Sequence, residues 1–407
     1  MSIVADPDAG RLRRTLEDLA EIGPGWSGTA GEERRREYVA DRLREAGYSP
    51  ELEAFSYLAG DPAATARCTS SVLDELPARP VQYTAAKAVE GPLIPVGQGR
   101  PEDLAALDGA GVALTGSVCL ARTAMPFAIT AELARRGAVG LIVHADTADD
   151  VIPEYAGRGF PPPLAAPWDR AHAPIPGLTV SRSAGDRLLA AHGSGRGAVA
   201  IAHETTYREA ESANVVATTG SGAGPTLVLV AHYDTQLAGG VWDNGTGVAA
   251  LLELARLCRE KDVEGCEIRL IAVGCEEQLM WGSQHYVHAH AEELADDCVG
   301  MINWDSPSAA YPVKNTCWCS ETARATCAEA ARRAQWPVDV WVEEDFPLSD
   351  TAPFARLGIP TMWFWQYPPM HPYYHSDGDT LELVDADKLG GVVRVGVQAV
   401  RLLAGGA

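Results

Sequence analysis

The chain has 407 residues, 46% of them hydrophobic and 22% charged, with a formal net charge of −22. That length can bury a large core, enough for one large or two ordinary domains. The acidic balance disfavours nucleic acid and anionic membrane surfaces as partners and leaves cationic or neutral ligands as the easier ones.

No window approaches the roughly 18 apolar residues of a membrane-spanning helix. The amino terminus, MSIVADPDAGRLRRTLEDL, turns charged at once and lacks the apolar core of a secretion signal, so no leader is expected. The 9 cysteines are odd in number and scattered, which argues against a disulfide framework and for a reducing cytoplasm.

In chain order, GTAGEERRREYVADRLREAGY predicts an early helix, with Tyr38, Val39, Leu43 and Ala46 on one face and Gly47 as its stop. From residue 58 to 205 the texture changes to short apolar runs, many glycines and the proline-rich PEYAGRGFPPPLAAPWDRAHAPIPG. This stretch reads as an inserted β-rich domain, with strands at GSVCLAR, VGLIVHAD and PGLTV and a helix at AITAELARRGA. Residues 1–57 and 206–407 then form the amino-terminal part and the main part of one domain. After Asn214 the pattern alternates strand, loop and helix: TLVLVAH, EIRLIAVG, VGMINWD and PTMWFW are the strands, each followed by a helical segment. The fold class is α/β, with a mixed, largely parallel sheet flanked by helices.

In such sheets ligands bind at the carboxyl ends of strands. His232 and Asp234 follow the first of these strands, and Asp243 and Asn244 precede the next helix. Glu276 and Glu277 follow the second strand, Asp305 ends the third, and His375 comes after the fourth in YYHSDGDT. Any one of them has an ordinary explanation as a cap or turn residue. Their recurrence at four strand ends does not.

Two histidines and three carboxylates suit zinc, and the count fits a pair of ions. His232 and Asp305 would hold one, Glu277 and His375 the other, and Asp243 would bridge, with the ions about 3.5–4 Å apart. Glu276 is the spare carboxylate and the general base. Asp234 would accept the second imidazole N–H of His232 and fix the ring.

The ordered set His-x-Asp, Asp-Asn, Glu-Glu, Asp and Tyr-His followed by Asp-Thr resembles the co-catalytic zinc aminopeptidases, a family related to glutamate carboxypeptidase, glutaminyl cyclase and the transferrin receptor. Supporting stretches are GVWDNGTGVAALLELAR, CEEQLMWGSQHY and LSDTAPFARLGIPTMWF, and the match runs over residues 215 to 404. The resemblance implies a zinc exopeptidase fold, two zinc ions on His232, Asp243, Glu277, Asp305 and His375, Glu276 as base, and Tyr374 as a donor to the tetrahedral oxyanion. It also implies that residues 58–205 are a protease-associated-like domain, although ARTAMPFA departs from the usual pattern there. The implied activity is release of amino-terminal residues from a peptide or small amide. The alternatives are a carboxypeptidase or small-molecule amidase, then a glutaminyl cyclase with one metal, then a receptor-like binding protein; oligomeric state is not legible. Trp363, Trp365 and Tyr367 lie near the last ligand and could line an apolar side-chain pocket.

Other metal-like residues are set aside. His288 and His290 face apart on a helix, so with His285 they read as a solvated face. Cys317 and Cys319 lack the second half of a zinc site, and Cys275 reads as packing. His371 competes with His375, which the following SDGDT favours.

Overall fold

A computed structural model describes residues 6–61, 63–144, 147–157, 172–192, 197–219, 224–260, 265–342, 349–367 and 372–405; His371 lies outside them. The chain divides into two compact units, one of residues 1–57, 211–369 and 379–407, the other of residues 58–210 and 370–378.

In the first unit, four strands run parallel in the order Glu267–Val273, Thr226–His232, Cys298–Trp304, Thr361–Tyr367. Tyr207–Thr219 joins one side antiparallel, with Glu51–Gly60 beyond it. Lys314–Cys319 joins the other side antiparallel, followed by Asp339–Val342. The parallel strands are near-continuous apolar runs because both faces are covered. Leu227, Leu229 and Ala231 face one helical layer and Val228 and Val230 face the other, the period of two that a pleated strand imposes. The first layer includes helices Ala9–Ile22, Ala30–Glu45, Gly245–Glu260, Arg324–Ala334 and Ala386–Leu403; the second includes Trp281–Ala289 and Thr351–Arg356.

The early helix forms as its periodicity predicts, with Val39 and Leu43 fully buried, Tyr38 and Ala46 packed beside them and Gly47 at φ 89°. A helix precedes it, Ala9–Ile22, capped by Asp8 and seated through Leu12, Leu16 and Leu19. Burying each of these leucines contributes about 1.5–3 kcal/mol. The segment GSQHYVHAHAEEL is two helices rather than one, Trp281–Ala289 and Ala291–Asp297. Its histidines are not a uniformly solvated face: His285 stacks on Phe55 at 5.0 Å and His290 lies 3.2 Å from Glu53, while His288 is exposed.

The second unit holds a seven-stranded sheet in the order Ala66–Ser70, Ala198–His203, Ala88–Pro95, Val118–Arg122, Gly140–His144, Gly177–Val180, Ala78–Pro80. Its middle four strands are parallel. Helices Pro101–Gly109 and Pro126–Arg135 pack on one face and Arg182–His192 on the other. Residues 370–378 join this unit, held by backbone bonds from Ala148 to Pro372 and from Glu154 to His375. Among the described residues no helix is long and apolar enough to cross a membrane.

Candidate metal centre

Strand register builds the centre. Val230 pairs with Asn303, two residues before His232 and Asp305 respectively, so both side chains emerge at the same level from neighbouring parallel strands. Asp243 reaches the same point from the loop that leads into helix Gly245–Glu260. The His232 Nε2 lies 3.4 Å from Asp243 Oδ1 and 3.4 Å from Asp305 Oδ1. One donor atom from each of the three lies within 4.8 Å of the others, and all three residues are buried. The His232 Nδ1–H donates to the Asp234 carbonyl at 3.1 Å, which leaves the lone pair on Nε2, facing the carboxylates.

The charge balance of this pocket calls for a cation. Burial alone would pull the His232 imidazole down, but Glu276, Asp234, Asp243 and Asp305 outweigh it and hold its pKa well above the ordinary histidine range. A fully enclosed histidine driven to protonate marks a local deficit of positive charge, which a divalent ion answers with better geometry than a proton. One nitrogen and two carboxylates fit zinc as a donor set.

Residues 214–400 match the profile of Peptidase family M28. This stretch is a Peptidase family M28 domain. Over 312 residues the chain is 30% identical to the probable lipoprotein aminopeptidase LpqL of Mycobacterium tuberculosis, covering 73% of this chain and 58% of that protein. It thus spans little more than half the length of that curated relative. Among solved structures, an aminopeptidase from Aneurinibacillus sp. strain AM-1 has a TM-score of 0.74 at 22% identity, covering 98% of this chain and 94% of its own. BSAP, a zinc aminopeptidase from Bacillus subtilis, has a TM-score of 0.70 at 20% identity, covering 97% and 94%. The architecture is therefore that of zinc aminopeptidases.

The M28 domain carries Glu276 and Glu277 on a turn beyond strand Glu267–Val273 rather than in extended chain. The turn, not strand alternation, separates the two side chains. Asp234 holds it: Oδ1 accepts the Glu276 amide at 3.1 Å, and Oδ2 accepts the Glu277 amide and the Ser27 hydroxyl, both at 3.2 Å. The expected bond from the Asp234 carboxylate to the imidazole differs in the structure. That carboxylate stands 3.7 Å from Nδ1, and the backbone carbonyl takes the N–H, because the two glutamate amides already occupy the side chain. The Glu277 Oε2 accepts from Gln236 Nε2 at 2.7 Å. Burial pushes the Glu276 carboxyl well above its usual range; His232 opposes this, and Asp305, Asp350 and Glu277 reinforce it.

His375 lies in residues 370–378 of the other unit, where its Nδ1–H donates to the Glu154 carbonyl at 2.8 Å. That bond fixes the same tautomer as in His232. Tyr374 stacks on the His375 ring at 3.6 Å and packs near Tyr155.

Sequence reasoning marked Asn244 and Asp379 only as motif members without a role, and it singled out neither Arg35 nor Ser349. Asp379 is buried and accepts the amides of Trp242 at 2.7 Å, Asp243 at 3.0 Å and Gly240 at 3.2 Å. From the other side, Arg35 donates to the carbonyls of Gly240 at 3.0 Å and Gly23 at 2.8 Å. The loop that presents Asp243 is therefore pinned at both edges. The Asn244 Oδ1 accepts from Gly247 at 2.8 Å and Ser306 at 3.0 Å, and its Nδ2 donates to the Trp304 carbonyl at 2.8 Å. Gly247 is required there: a Cβ would sit 2.2 Å from the Trp304 oxygen. Ser349 donates to Asp305 Oδ2. The DNG, SDT and Asp-Thr patterns of the sequence were the signals of these contacts, without their partners.

Trp363, Trp365 and Tyr367 belong to a sheet-face ladder. Trp363 stacks on Trp365 at 4.3 Å, Trp318 lies across both, and Trp341 joins Trp318 to Tyr367. All nine cysteines stand as thiols, and all but Cys298 are buried. Cys317 and Cys319 face the helical layer beside Cys327.

Proposed function

We propose that this protein is a zinc-dependent aminopeptidase acting on peptides or small amides with a free α-amine. The observation that carries the reading is the buried triad in which the His232 Nε2 lies 3.4 Å from an oxygen of both Asp243 and Asp305. The M28 domain and the aminopeptidase names of its relatives support it. We assign His232 and Asp305 to one zinc ion, Glu277 and His375 to a second, and Asp243 to both. The matching Nδ1 bonds of the two histidines support their roles as Nε2 ligands.

Bound zinc would supply a Lewis acid for the scissile carbonyl and acidify water. Glu276 takes a proton from the attacking water and delivers it to the leaving amine. Asp234 fixes the glutamate pair through their amides, and Tyr374 donates to the oxyanion. Residues 58–205 are read as a protease-associated-like insert, and Trp363, Trp365 and Tyr367 as a wall favouring apolar side chains. The nine thiols support a cytoplasmic location.

A screen of aminoacyl amides, amino-blocked peptides and carboxyl-terminal substrates, with and without chelator, tests the activity. Cleavage of unblocked substrates alone, abolished by chelator and restored by zinc, is expected; cleavage of blocked peptides overturns the assignment. Zinc per chain should be about two, whereas one would favour a cyclase-type acyltransferase. Equal rates on leucine, phenylalanine and lysine amides would remove the aromatic wall.

A further inference from the structure

On the helical layer that covers the M28 sheet, three helices each give one stripe to a cleft of about 480 Å³. Helix Ala9–Ile22 contributes Arg11 and Arg14, helix Ala30–Glu45 contributes Arg42, and helix Gly245–Glu260 contributes Arg256 and Arg259. The spacing of three, four and seven residues keeps each stripe on one side of its helix. Five arginines face Asp18, Glu45 and Glu253, with Asp8 beside them paired to Arg11 at 3.7 Å, in a chain with 55 acidic against 33 basic residues. Local charge is thus reversed from that of the whole molecule.

The carboxylates are already engaged. Asp18 accepts from the Tyr38 hydroxyl at 2.9 Å, and Glu253 accepts two bonds from Arg256 and the Asp8 amide. Glu45 pairs with one terminal nitrogen of Arg42, whose buried Nε has no hydrogen-bond partner. Among the described residues no carboxylate pairs with Arg14 or with Arg259, which stands over the Tyr48 ring at 5.6 Å. A basic residue at a helix carboxyl end can serve the helix dipole, which would account for Arg259. It does not account for Arg14, which lies in the amino-terminal half of its helix. The cleft floor is apolar, with Leu12 and Leu252 buried, and its size falls within the roughly 300–1,000 Å³ of small-molecule sites.

We propose that this cleft binds a small, multiply charged anion bearing phosphate-type oxygens, held by Arg14 and Arg259 with Arg42 alongside. Guanidinium groups present paired donors that match phosphate oxygens. Two of them on different helices can hold an anion against the negative field of the rest of the chain, where one alone would not. The site shares no side chain with the metal centre.

Titration calorimetry with inorganic pyrophosphate, at constant ionic strength, tests the proposal on the full chain and on R14A/R259A. Both positions are exposed, so the variant should fold and keep its peptidase activity. Pyrophosphate also binds zinc, so chelator-treated protein and Asp243→Ala are titrated in parallel. The expected result is binding that survives chelator and Asp243→Ala, weakens as salt is raised, and weakens at least 10-fold in R14A/R259A, with R14K/R259K between. No heat at millimolar pyrophosphate, or binding unchanged in R14A/R259A, overturns the proposal, as does binding that disappears in Asp243→Ala alone.

Discussion

The two sheets share a plan and differ at their strand ends. Each has four central parallel strands with both faces covered. In the M28 sheet the carboxyl ends lead into His232, Glu276, Glu277 and Asp305. In the other sheet they lead into Val96, Thr123, His144 and Ser181. The topology that makes a crevice is present twice, but among the described residues only the first sheet's strand ends bring a histidine together with two carboxylates within 4.8 Å. A parallel sheet is therefore only an opportunity, and chemistry depends on what the strand ends carry and what braces it.

The sharpest way to break this comparison is Glu276→Gln. It removes a proton acceptor without removing a proposed ligand, so turnover should fall at least about 100-fold while zinc content is unchanged. Near-normal turnover would separate the strand-end carboxylate from the chemistry. Next is Asp379→Asn, which presents an amide N–H₂ to backbone donors that now meet only acceptor oxygens. Loosening the Asp243 loop should weaken zinc binding about 10- to 100-fold in chelator competition; unchanged affinity would show that the loop stands without it.

A third test concerns the stability of the first unit. Burial raises the Glu32 carboxyl from 4.5 to about 7, partly offset by bonds from Ser212 and the Gly28 amide. The folded state therefore holds a proton that the unfolded chain releases. Stability should fall as pH rises from about 4.5 to 7, by about 3 kcal/mol at most, and level off above that. Denaturant titrations across this range should show a shallower slope in Glu32→Gln, the remainder belonging to Asp350 and Asp379, which burial also raises to about 7; a slope unchanged by the substitution would assign it elsewhere. The smallest effect on chemistry is expected from the second sheet. His144 ends a parallel strand there and packs against Gly185, so His144→Ala should lower stability by about 1–3 kcal/mol and leave zinc content untouched. A loss of zinc would mean that the two sheets are not as different as their strand ends indicate.

The proposed ligands other than Asp243 were legible because they come at or after the ends of apolar runs, and the end of a parallel strand is a predictable place; Asp243 was legible only as the residue that leads into a helix. The bracing of these ligands was not. Arg35 sits in RRR between exposed Arg34 and partly exposed Arg36, yet it alone is fully buried and bonded to three carbonyls. Nothing local separates it from its neighbours, since helix periodicity gives a face but not what that face meets. Asp379 reads as an ordinary turn acid in SDGDT until it closes over a loop 136 to 139 residues away. The aromatic triplet Trp363, Trp365 and Tyr367 was visible as one strand face, but its partners Trp318 and Trp341 come from strands adjacent only in the folded sheet.

The sequence by itself determined the α/β alternation, the core-facing residues of its strands and the order of acids and histidines at their ends, because these follow from periods of two and 3.6 along a single segment. The tertiary structure alone decided which carboxylate meets His232, which oxygen of Asp234 does the holding, and where five arginines gather. Such contacts depend on register and packing between segments far apart in the chain, where local periodicity carries no information.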